Sequence, residues 1–418
     1  MRRDYNVTAI IIWVLAAGSA LAVLALIGCA LLSPPPAPGS ETLRYFETGF
    51  LERAAAYQRC SLALSLARRG VLFLVLALAA LKAWRYFQGK PPLPLLTAVG
   101  YLFLLLLLLQ LATFPLDFYR GYVVEHRFGL SAYTVGSWLA DYGKGLLLNL
   151  FFGTAGLAVL YLLMLRWPRG WWAAAGLLFF LFLVLSSYLS PLLIDPLFNR
   201  FTPLQDEPLR EEISALAEKA GISLSEILVM DAGRNTRKLN AYFTGLGRTR
   251  RIVLYDTLLE NFDREEVLAV VAHELAHWRY NHVAKGIAFG AAGALLGLYL
   301  FQLLLQKTGT QPGIGAVYLA VLFLGLISTG TLPLSSSLSR HFEVEADRQA
   351  LAWTGEEEAF ISVQRQLAQA NLAVVQPHPV IKTVLYSHPP TMERIALARS
   401  RSDAGKQPSS GQGGEIDP

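Results

Sequence analysis

Residues 273–277 read His-Glu-Leu-Ala-His, and this stretch decides how the rest of the chain is interpreted. Positions four apart share one face of an α-helix, so the side chains of His273 and His277 can reach the same metal ion. Glu274 lies one step round the helix, where its carboxylate can take a proton from a water on that metal. The spacing therefore predicts a zinc site whose general base is Glu274.

The flanking residues predict the helix that this motif needs. Asp263 is a suitable N-cap, and Glu266 stands three residues later, which is the spacing of a capping box. Residues 267–271 are all apolar and contain neither proline nor glycine. His282 follows five positions after His277, which is not a helical ligand spacing, so we expect an interfacial residue there and not a ligand.

The composition indicates an integral membrane protein. The 418 residues are 54% hydrophobic and only 16% charged, with a mean hydropathy of +0.41, which is too apolar for an ordinary soluble protein. The net charge of +5 is small. The sequence has no stripe of alternating basic and aromatic residues, so we expect no nucleic-acid partner. Cys29 and Cys60 provide neither a disulfide framework nor a metal-ligand spacing.

Long apolar runs predict a mostly α-helical, polytopic protein that crosses the bilayer seven times, since a span needs about 20 residues. Arg2 and Arg3 precede the first run, as in a signal peptide, but the run continues past Cys29, so we expect an uncleaved anchor. The predicted spans are 8–32, 70–88, 93–114, 145–165, 171–194, 284–306 and 313–333.

The polar stretches between the spans predict a peptidase domain in two halves. Residues 206–220 have helical periodicity, and 240–245 with 251–255 flank Gly247-Arg248-Thr249-Arg250 as a small β-hairpin. The tail is rich in serine, glycine and glutamine, which predicts disorder. The expected units are a membrane region (1–195), a first peptidase half (196–282), a transmembrane pair (283–333), a second peptidase half (334–398) and the tail (399–418).

A zinc peptidase needs a third protein ligand and leaves the fourth position for water. The stretch 341–347, His-Phe-Glu-Val-Glu-Ala-Asp, offers candidates, because two predicted spans separate it from His277 and return the chain to the same side of the membrane. Glu343 is the candidate ligand, with His341 and Glu345 as rivals. Asp347, one turn later, could accept a hydrogen bond from a ligand histidine.

An ordered set of further motifs resembles the type I CAAX prenyl proteases, which are integral-membrane zinc endopeptidases, and their bacterial relatives. The resemblance covers roughly 40–398 and favours Glu343 as the third ligand. The matching stretches are Phe-Pro-Leu at 114–116, Glu-His-Arg-Phe-Gly at 125–129, Ile-Asp-Pro-Leu-Phe-Asn at 194–199, Phe-Thr-Pro-Leu at 201–204, Asn-Ala-Tyr-Phe at 240–243, Ser-Arg at 339–340 with Glu343 and Asp347, and Ser-His-Pro-Pro at 387–390 with Glu393-Arg394.

The resemblance implies seven helices enclosing an intramembrane chamber with one Zn²⁺ at its mouth. It implies that His388 donates to the developing oxyanion, and that Arg394 holds either the substrate or the local fold. Asn240, Ala241, Tyr242 and Phe243 match the family's substrate-facing stretch. An extended peptide bound as an added strand would pair with 241–243.

The resemblance also implies a catalytic side that faces the cytosol, with the N-terminus opposite. Arginine outnumbers lysine, and no C-terminal lysine retrieval signal is present, which we interpret as a bacterial protein of the inner membrane. In a eukaryote the expected membrane is that of the endoplasmic reticulum. The substrate is a peptide or protein, either prenylated or a general target of membrane-protein turnover. A non-catalytic transporter or scaffold is the remaining alternative, but Glu274 and every ligand are retained.

Overall fold

The computed structural model describes residues 7–33, 36–245 and 250–406. Helices dominate, and the strands lie together in the chain between the fifth and sixth long apolar helices. In chain order the elements are α1 (Val7–Leu32), α2 (Thr42–Tyr45), α3 (Thr48–Phe87), α4 (Leu95–Phe118), α5 (Glu125–Arg127), α6 (Val135–Arg166), α7 (Trp171–Leu189), α8 (Asp195–Phe198), β1 (Phe201–Pro203), α9 (Glu207–Lys219), β2 (Glu226–Met230), β3 (Ala241–Thr244), β4 (Arg251–Tyr255), α10 (Asp256–Asn261), α11 (Arg264–Arg279), α12 (His282–Thr308), α13 (Ile314–Gly330), α14 (Leu332–Thr354), α15 (Glu357–Ala370), α16 (Pro379–Leu385) and α17 (Thr391–Lys406).

The apolar helices agree with the predicted multi-pass fold. Among the described residues, six helices are long and apolar enough to cross a membrane, and a seventh span is formed if a bent helix pair is counted as one. Two spans pass through π-helical turns, at Tyr119–Val124 between α4 and α5 and at Ser190–Ile194 between α7 and α8. The chain is therefore a multi-pass membrane protein.

Several helices are longer than the apolar runs from which they were predicted. The predicted span 70–88 is only the second half of α3, which has 40 residues and is about 60 Å long at 1.5 Å per residue. A hydrocarbon core is roughly 30 Å thick, so α3 continues well outside it. Its first half contains charged residues, which lower the hydropathy without interrupting the helix.

The predicted seventh span, 313–333, is interrupted near its end. Helices α13 and α14 meet at a bend of 52°, and Pro333 lies in the first turn of α14. Proline lacks an N–H but is tolerated there, because that N–H would have no intrahelical partner. Beyond the bend, α14 packs along α11. The two halves of the predicted site therefore lie on neighbouring helices.

The predicted hairpin is present as β3 and β4, which pair antiparallel from Ala241↔Leu254 to Thr244↔Arg251. The predicted turn residues 247–249 lie outside the described residues. The hairpin belongs to a four-stranded mixed sheet in the order β1-β2-β4-β3, with β2 and β4 parallel. Strand β1 was missed because it has three residues and ends in proline, a residue that usually argues against a strand.

A buried apolar cluster holds the sheet against α9 and α11. Ile213 of α9, Ile252 and Leu254 of β4, and Val271 and Leu275 of α11 are each fully buried within it. Close packing of this kind allows little freedom to the surrounding side chains. The face of α11 that carries the histidines is therefore held in a fixed relation to the sheet.

The last helix extends into the predicted tail. Helix α17 continues to Lys406, so the prediction of a disordered tail from 399 is wrong for 399–406. The extension is anchored at its start, where Arg399 forms an ion pair with Glu41 at 3.3 Å. Arg401 also donates to the carbonyl of Arg348. The rest of the predicted tail lies outside the described residues.

Candidate metal centre

Helix α11 begins as the sequence predicts. The side chain of Asp263 accepts from the N–H of Glu266, and the N–H of Asp263 donates to Oε2 of Glu266 at 2.9 Å. Glu266 is buried and also accepts from Gln366 at 2.6 Å. This reciprocal cap satisfies amide groups that a helix start otherwise leaves without partners. It also fixes where the helix begins, and so which face carries His273 and His277.

Three predicted ligands converge. Nε2 of His273 lies 3.1 Å from Nε2 of His277. The carboxylate of Glu343 reaches both rings, with Oε2 3.2 Å from Nε2 of His273 and Oε1 3.4 Å from Nε2 of His277. One ligand atom from each of these residues lies within 4.8 Å of the others. The rivals His341 and Glu345 are not part of this group.

The donor set fits a small divalent ion. Bonds of 2.0–2.2 Å in a tetrahedral arrangement separate ligand atoms by roughly 3.3 Å, which is close to the three distances observed. Oε2 of Glu343 is buried, and among the described residues it has the 3.2 Å contact with Nε2 of His273 but no formed hydrogen bond, a costly state unless a further group satisfies it. Burial lowers the pKa of His273, but the carboxylates of Asp347 and Glu343 outweigh that effect and raise it to about 10. The site thus strongly favours positive charge.

Asp347 lies behind the first ligand histidine. Its Oδ1 is 2.9 Å from Nδ1 of His273, and its side chain is fully buried. Arg394 donates two hydrogen bonds to the same carboxylate, from Nη2 to Oδ1 at 2.5 Å and from Nε to Oδ2 at 2.8 Å. This bidentate pairing favours the local-fold role for Arg394, because Nε and Nη2 are engaged with Asp347. A contact with substrate stays a prediction.

Glu274 does not join the ligand group. It points toward the sheet, where its Oε2 accepts from the backbone N–H of Phe243 at 3.3 Å. Burial raises the pKa of Glu274 above its ordinary value, as expected for a carboxylate held in a dry site. A carboxylate in this position can exchange a proton with a group held between the ligands and strand β3.

Strand β3 is an edge strand, and its register decides which groups are free. The N–H of Tyr255 donates to the carbonyl of Asn240, so Asn240 faces β4, and by the alternation of an antiparallel pair Tyr242 does so too. Ala241 and Phe243 therefore direct their N–H and C=O groups away from β4, and the N–H of Phe243 already donates to Glu274. A peptide added as a strand would meet these two residues and not Tyr242.

His388 lies close to the same ligand group, although it comes from the loop before α17. Its Nε2 is 3.3 Å from Oε1 of Glu343, and its side chain is 57% exposed. Nδ1 lies 2.9 Å from the hydroxyl of Ser387. The ring is thus held at one nitrogen and presents the other toward the ligand group.

His282 is outside the ligand group, as predicted, and it begins the apolar helix α12, but it contacts a ligand histidine, which the sequence did not indicate. It is 5% exposed, and its Nδ1 lies 3.0 Å from Nδ1 of His277. Helix α11 ends at Arg279, and Asn281 then adopts a left-handed conformation with φ 55°, which asparagine tolerates better than most residues. The turn brings His282 back over His277, so helical spacing does not apply. In the sequence, the signal for this reversal is Asn281 itself, because asparagine sometimes ends a helix in the left-handed conformation.

Two family models divide the chain between them. The model described as "CAAX prenyl protease N-terminal, five membrane helices" matches residues 42–200, and the model of peptidase family M48 matches residues 203–402. The first covers the helices that precede the sheet. The second covers the sheet, α11 and α14, and so contains the ligand group.

Similar proteins share most of their length with this chain. An uncharacterised metalloprotease of Bacillus subtilis, YhfN, is 32% identical over 80% of this chain and 81% of its own length. CAAX prenyl protease 1 of Saccharomyces cerevisiae is 30% identical over 71% of this chain and 70% of its own. The crystal structure of S. mikatae Ste24p superposes with a TM-score of 0.76 at 25% identity, covering 94% of this chain and 98% of that one.

A metal-ligand group on two packed helices, joined to a bundle of membrane spans, defines a membrane-embedded metalloprotease. The chain belongs to peptidase family M48, and its membrane region is that of the CAAX prenyl proteases. The predicted fold class and enzyme class are confirmed, and neither a transporter nor a scaffold is supported. The enclosed chamber stays a prediction.

Proposed function

We propose that the chain is a zinc endopeptidase that binds Zn²⁺ through His273, His277 and Glu343 and cleaves peptide bonds beside strand β3. One observation carries this proposal. The three ligand atoms converge within 4.8 Å of one another, and the neighbouring residue Glu274 is hydrogen-bonded to the open edge of the sheet. A metal, a base and a peptide-binding edge therefore share one small volume.

Zinc, when bound, would polarise the scissile carbonyl and make a water acidic enough to deprotonate near neutral pH. Glu274 accepts the proton of the attacking water and returns a proton to the leaving amine as the C–N bond breaks. His388 donates from Nε2 to the carbonyl oxygen as negative charge develops there. Asp347 holds the ring of His273 in the tautomer that leaves Nε2 free for the metal.

The metal assignment is tested by removal and replacement. Dialysis of purified protein against a chelator should abolish peptide cleavage, and one equivalent of Zn²⁺ should restore it. The variant Glu343→Ala should lose zinc affinity while the helices remain folded, as measured by circular dichroism. Full zinc content in that variant would show that Glu343 is not a ligand.

We propose a peptide with a prenylated cysteine as the substrate, since several relatives carry the name CAAX prenyl protease. The decisive experiment is mass spectrometry of peptides incubated with the protein, in prenylated and plain forms of the same sequence, with Glu274→Gln as the inactive control. Preferential cleavage next to the prenylated cysteine supports the proposal. Equal cleavage of both forms would instead favour a general role in membrane-protein turnover.

We also propose that the catalytic side faces the cytoplasm across a bacterial inner membrane. The test replaces Cys29 and Cys60 by serine and introduces Glu211→Cys on the exposed surface of α9. A membrane-impermeant thiol reagent should label this cysteine only after the cells are opened. Labelling in intact cells would place the peptidase half outside.

A further inference from the structure

His277 makes two different contacts with its two ring nitrogens. Nε2 faces the ligand group, 3.1 Å from Nε2 of His273. Nδ1 faces away from it and lies 3.0 Å from Nδ1 of His282. Nε2 of His282 in turn lies 2.9 Å from Oε2 of Glu345. These four side chains therefore form a row that begins at His273, passes through His277 and His282, and ends at the Glu345 carboxylate on α14.

The positions of the protons in this row follow from the chemistry of imidazole. A neutral ring that binds a metal through Nε2 carries its single proton on Nδ1, and this N–H must donate. Nδ1 of His282 is then the acceptor, so His282 carries its own proton on Nε2 and donates it to Glu345. Every nitrogen in the row has one role, and no donor faces another donor.

His282 is held firmly enough to orient its neighbour. Its ring stacks on Phe342 with centroids 4.4 Å apart and an interplanar angle of 10°. Tyr280 stacks near it at 5.8 Å and 21°. The ring is also 5% exposed, so water cannot readily replace its hydrogen bonds. These contacts restrict the ring to the plane in which Nδ1 meets His277.

The two ligand histidines are supported in corresponding ways. His273 donates directly to Asp347, a fully buried carboxylate 2.9 Å away. His277 reaches a carboxylate only through His282, and that carboxylate, Glu345, is 34% exposed with Lys285 3.9 Å from it. Glu343, Glu345 and Asp347 lie at alternate positions of α14, so one helix supplies the third ligand and both supporting carboxylates.

We propose that His282, with Glu345 behind it, is a positioning residue that fixes the tautomer and ring orientation of His277 and increases its basicity toward the metal. A carboxylate behind a ligand histidine has these effects in metal sites generally, and its loss costs about 10- to 100-fold in affinity or activity. The proposal rests on the proposed role of His277 as a zinc ligand.

The test measures zinc affinity by competition with a chelator, using the full-length protein in detergent. The variant His282→Phe keeps the stacked ring but cannot accept a hydrogen bond, so zinc should bind roughly 10- to 100-fold more weakly. His282→Asn places a carbonyl oxygen near the position of Nδ1 and should recover most of that loss. Glu345→Ala should weaken zinc binding less than His282→Phe, because this end of the row is partly exposed to water.

The matched control is His341→Phe, which changes an exposed histidine on the same helix as Glu345 and should bind zinc like the unaltered protein. If His282→Phe binds zinc with unaltered affinity while Glu343→Ala loses zinc, the positioning role of His282 is refuted and the zinc site stands. If Glu343→Ala also retains zinc, the proposed function itself fails. Should the His282 variants not fold, unaltered zinc affinity in Glu345→Ala would still overturn the proposal.

Discussion

Glu274 and its two neighbouring histidines point in different directions and are assigned different functions. The histidine rings face Glu343, whereas the Glu274 carboxylate faces the sheet and accepts from Phe243. Metal binding and proton transfer are therefore assigned to different side chains on the same helix. A substitution can remove one function without the other.

We expect Glu274→Gln to retain zinc and to lower kcat by roughly 10²- to 10⁴-fold, because general-base catalysis contributes a factor of that size. Glutamine preserves the size of the side chain and can still accept from Phe243. Zinc content by elemental analysis and peptide cleavage are the two measurements. Activity equal to that of the unaltered protein would exclude Glu274 as the base.

His388→Ala should lower kcat by roughly 100-fold, the usual cost of losing one oxyanion donor, with zinc retained. If His388 only shapes the loop before α17, turnover should stay unchanged while the thermal midpoint falls. The two measurements together separate these roles. His341→Ala serves as the control for removal of an exposed histidine.

At the scale of elements, the register of β3 determines which substitution can test whether this strand binds the substrate. Tyr242 faces β4, so a proline there would break the hairpin and would not report on substrate binding. Ala241 directs its N–H away from β4, toward the edge where a peptide would bind, while its side chain is buried. Proline at 241 removes that donor and leaves the bonds to β4 in place.

We therefore expect Ala241→Pro to lower kcat/KM for a peptide substrate by more than any loss of folded, zinc-loaded protein accounts for. Ala241→Gly keeps the N–H and adds no atom at this buried position, so it should retain kcat/KM and is the control. Tyr242→Pro should lower the thermal midpoint itself. Unchanged kcat/KM in folded, zinc-loaded Ala241→Pro would show that this edge does not hold the substrate.

At the scale of the whole molecule, a small polar cluster joins the membrane helices to the peptidase part. Nζ of Lys238 lies 2.8 Å from Oε2 of Glu125, and the Tyr57 hydroxyl donates to Oε1 of the same carboxylate at 2.5 Å. Tyr57 belongs to α3 and Glu125 to α5, whereas Lys238 lies just before β3. This cluster thus connects the bundle to the strand beside the active site.

Glu125→Gln should lower the free energy of unfolding by roughly 1.5–3 kcal/mol, the range for hydrogen bonds to charged groups. The partial exposure of Lys238, 34%, places the effect toward the lower end. Chemical denaturation in detergent measures it, and a double-mutant cycle with Lys238→Met isolates the pair. Lys307→Met, at an exposed position, is the control, and additive effects in the cycle would show that the pair is not coupled.

Patterns within a few residues were predictable from the sequence because their physical causes are local. The four-residue spacing of His273 and His277 depends only on helical geometry, and the apolar runs follow from the thickness of the bilayer. The cap at Asp263 and the hairpin formed by β3 and β4 are local in the same sense. These features gave the fold class, the ligand pair and the candidate base.

The remaining features depend on contacts between distant parts of the chain. Arg394 pairs with Asp347 because α17 packs beside α14, and β4 lies between β2 and β3 because a parallel neighbour joins the hairpin. His282 reaches His277 only because a left-handed Asn281 reverses the chain. Helical spacing determined which residues could bind the metal, and tertiary packing alone decided which carboxylates and which imidazole support them.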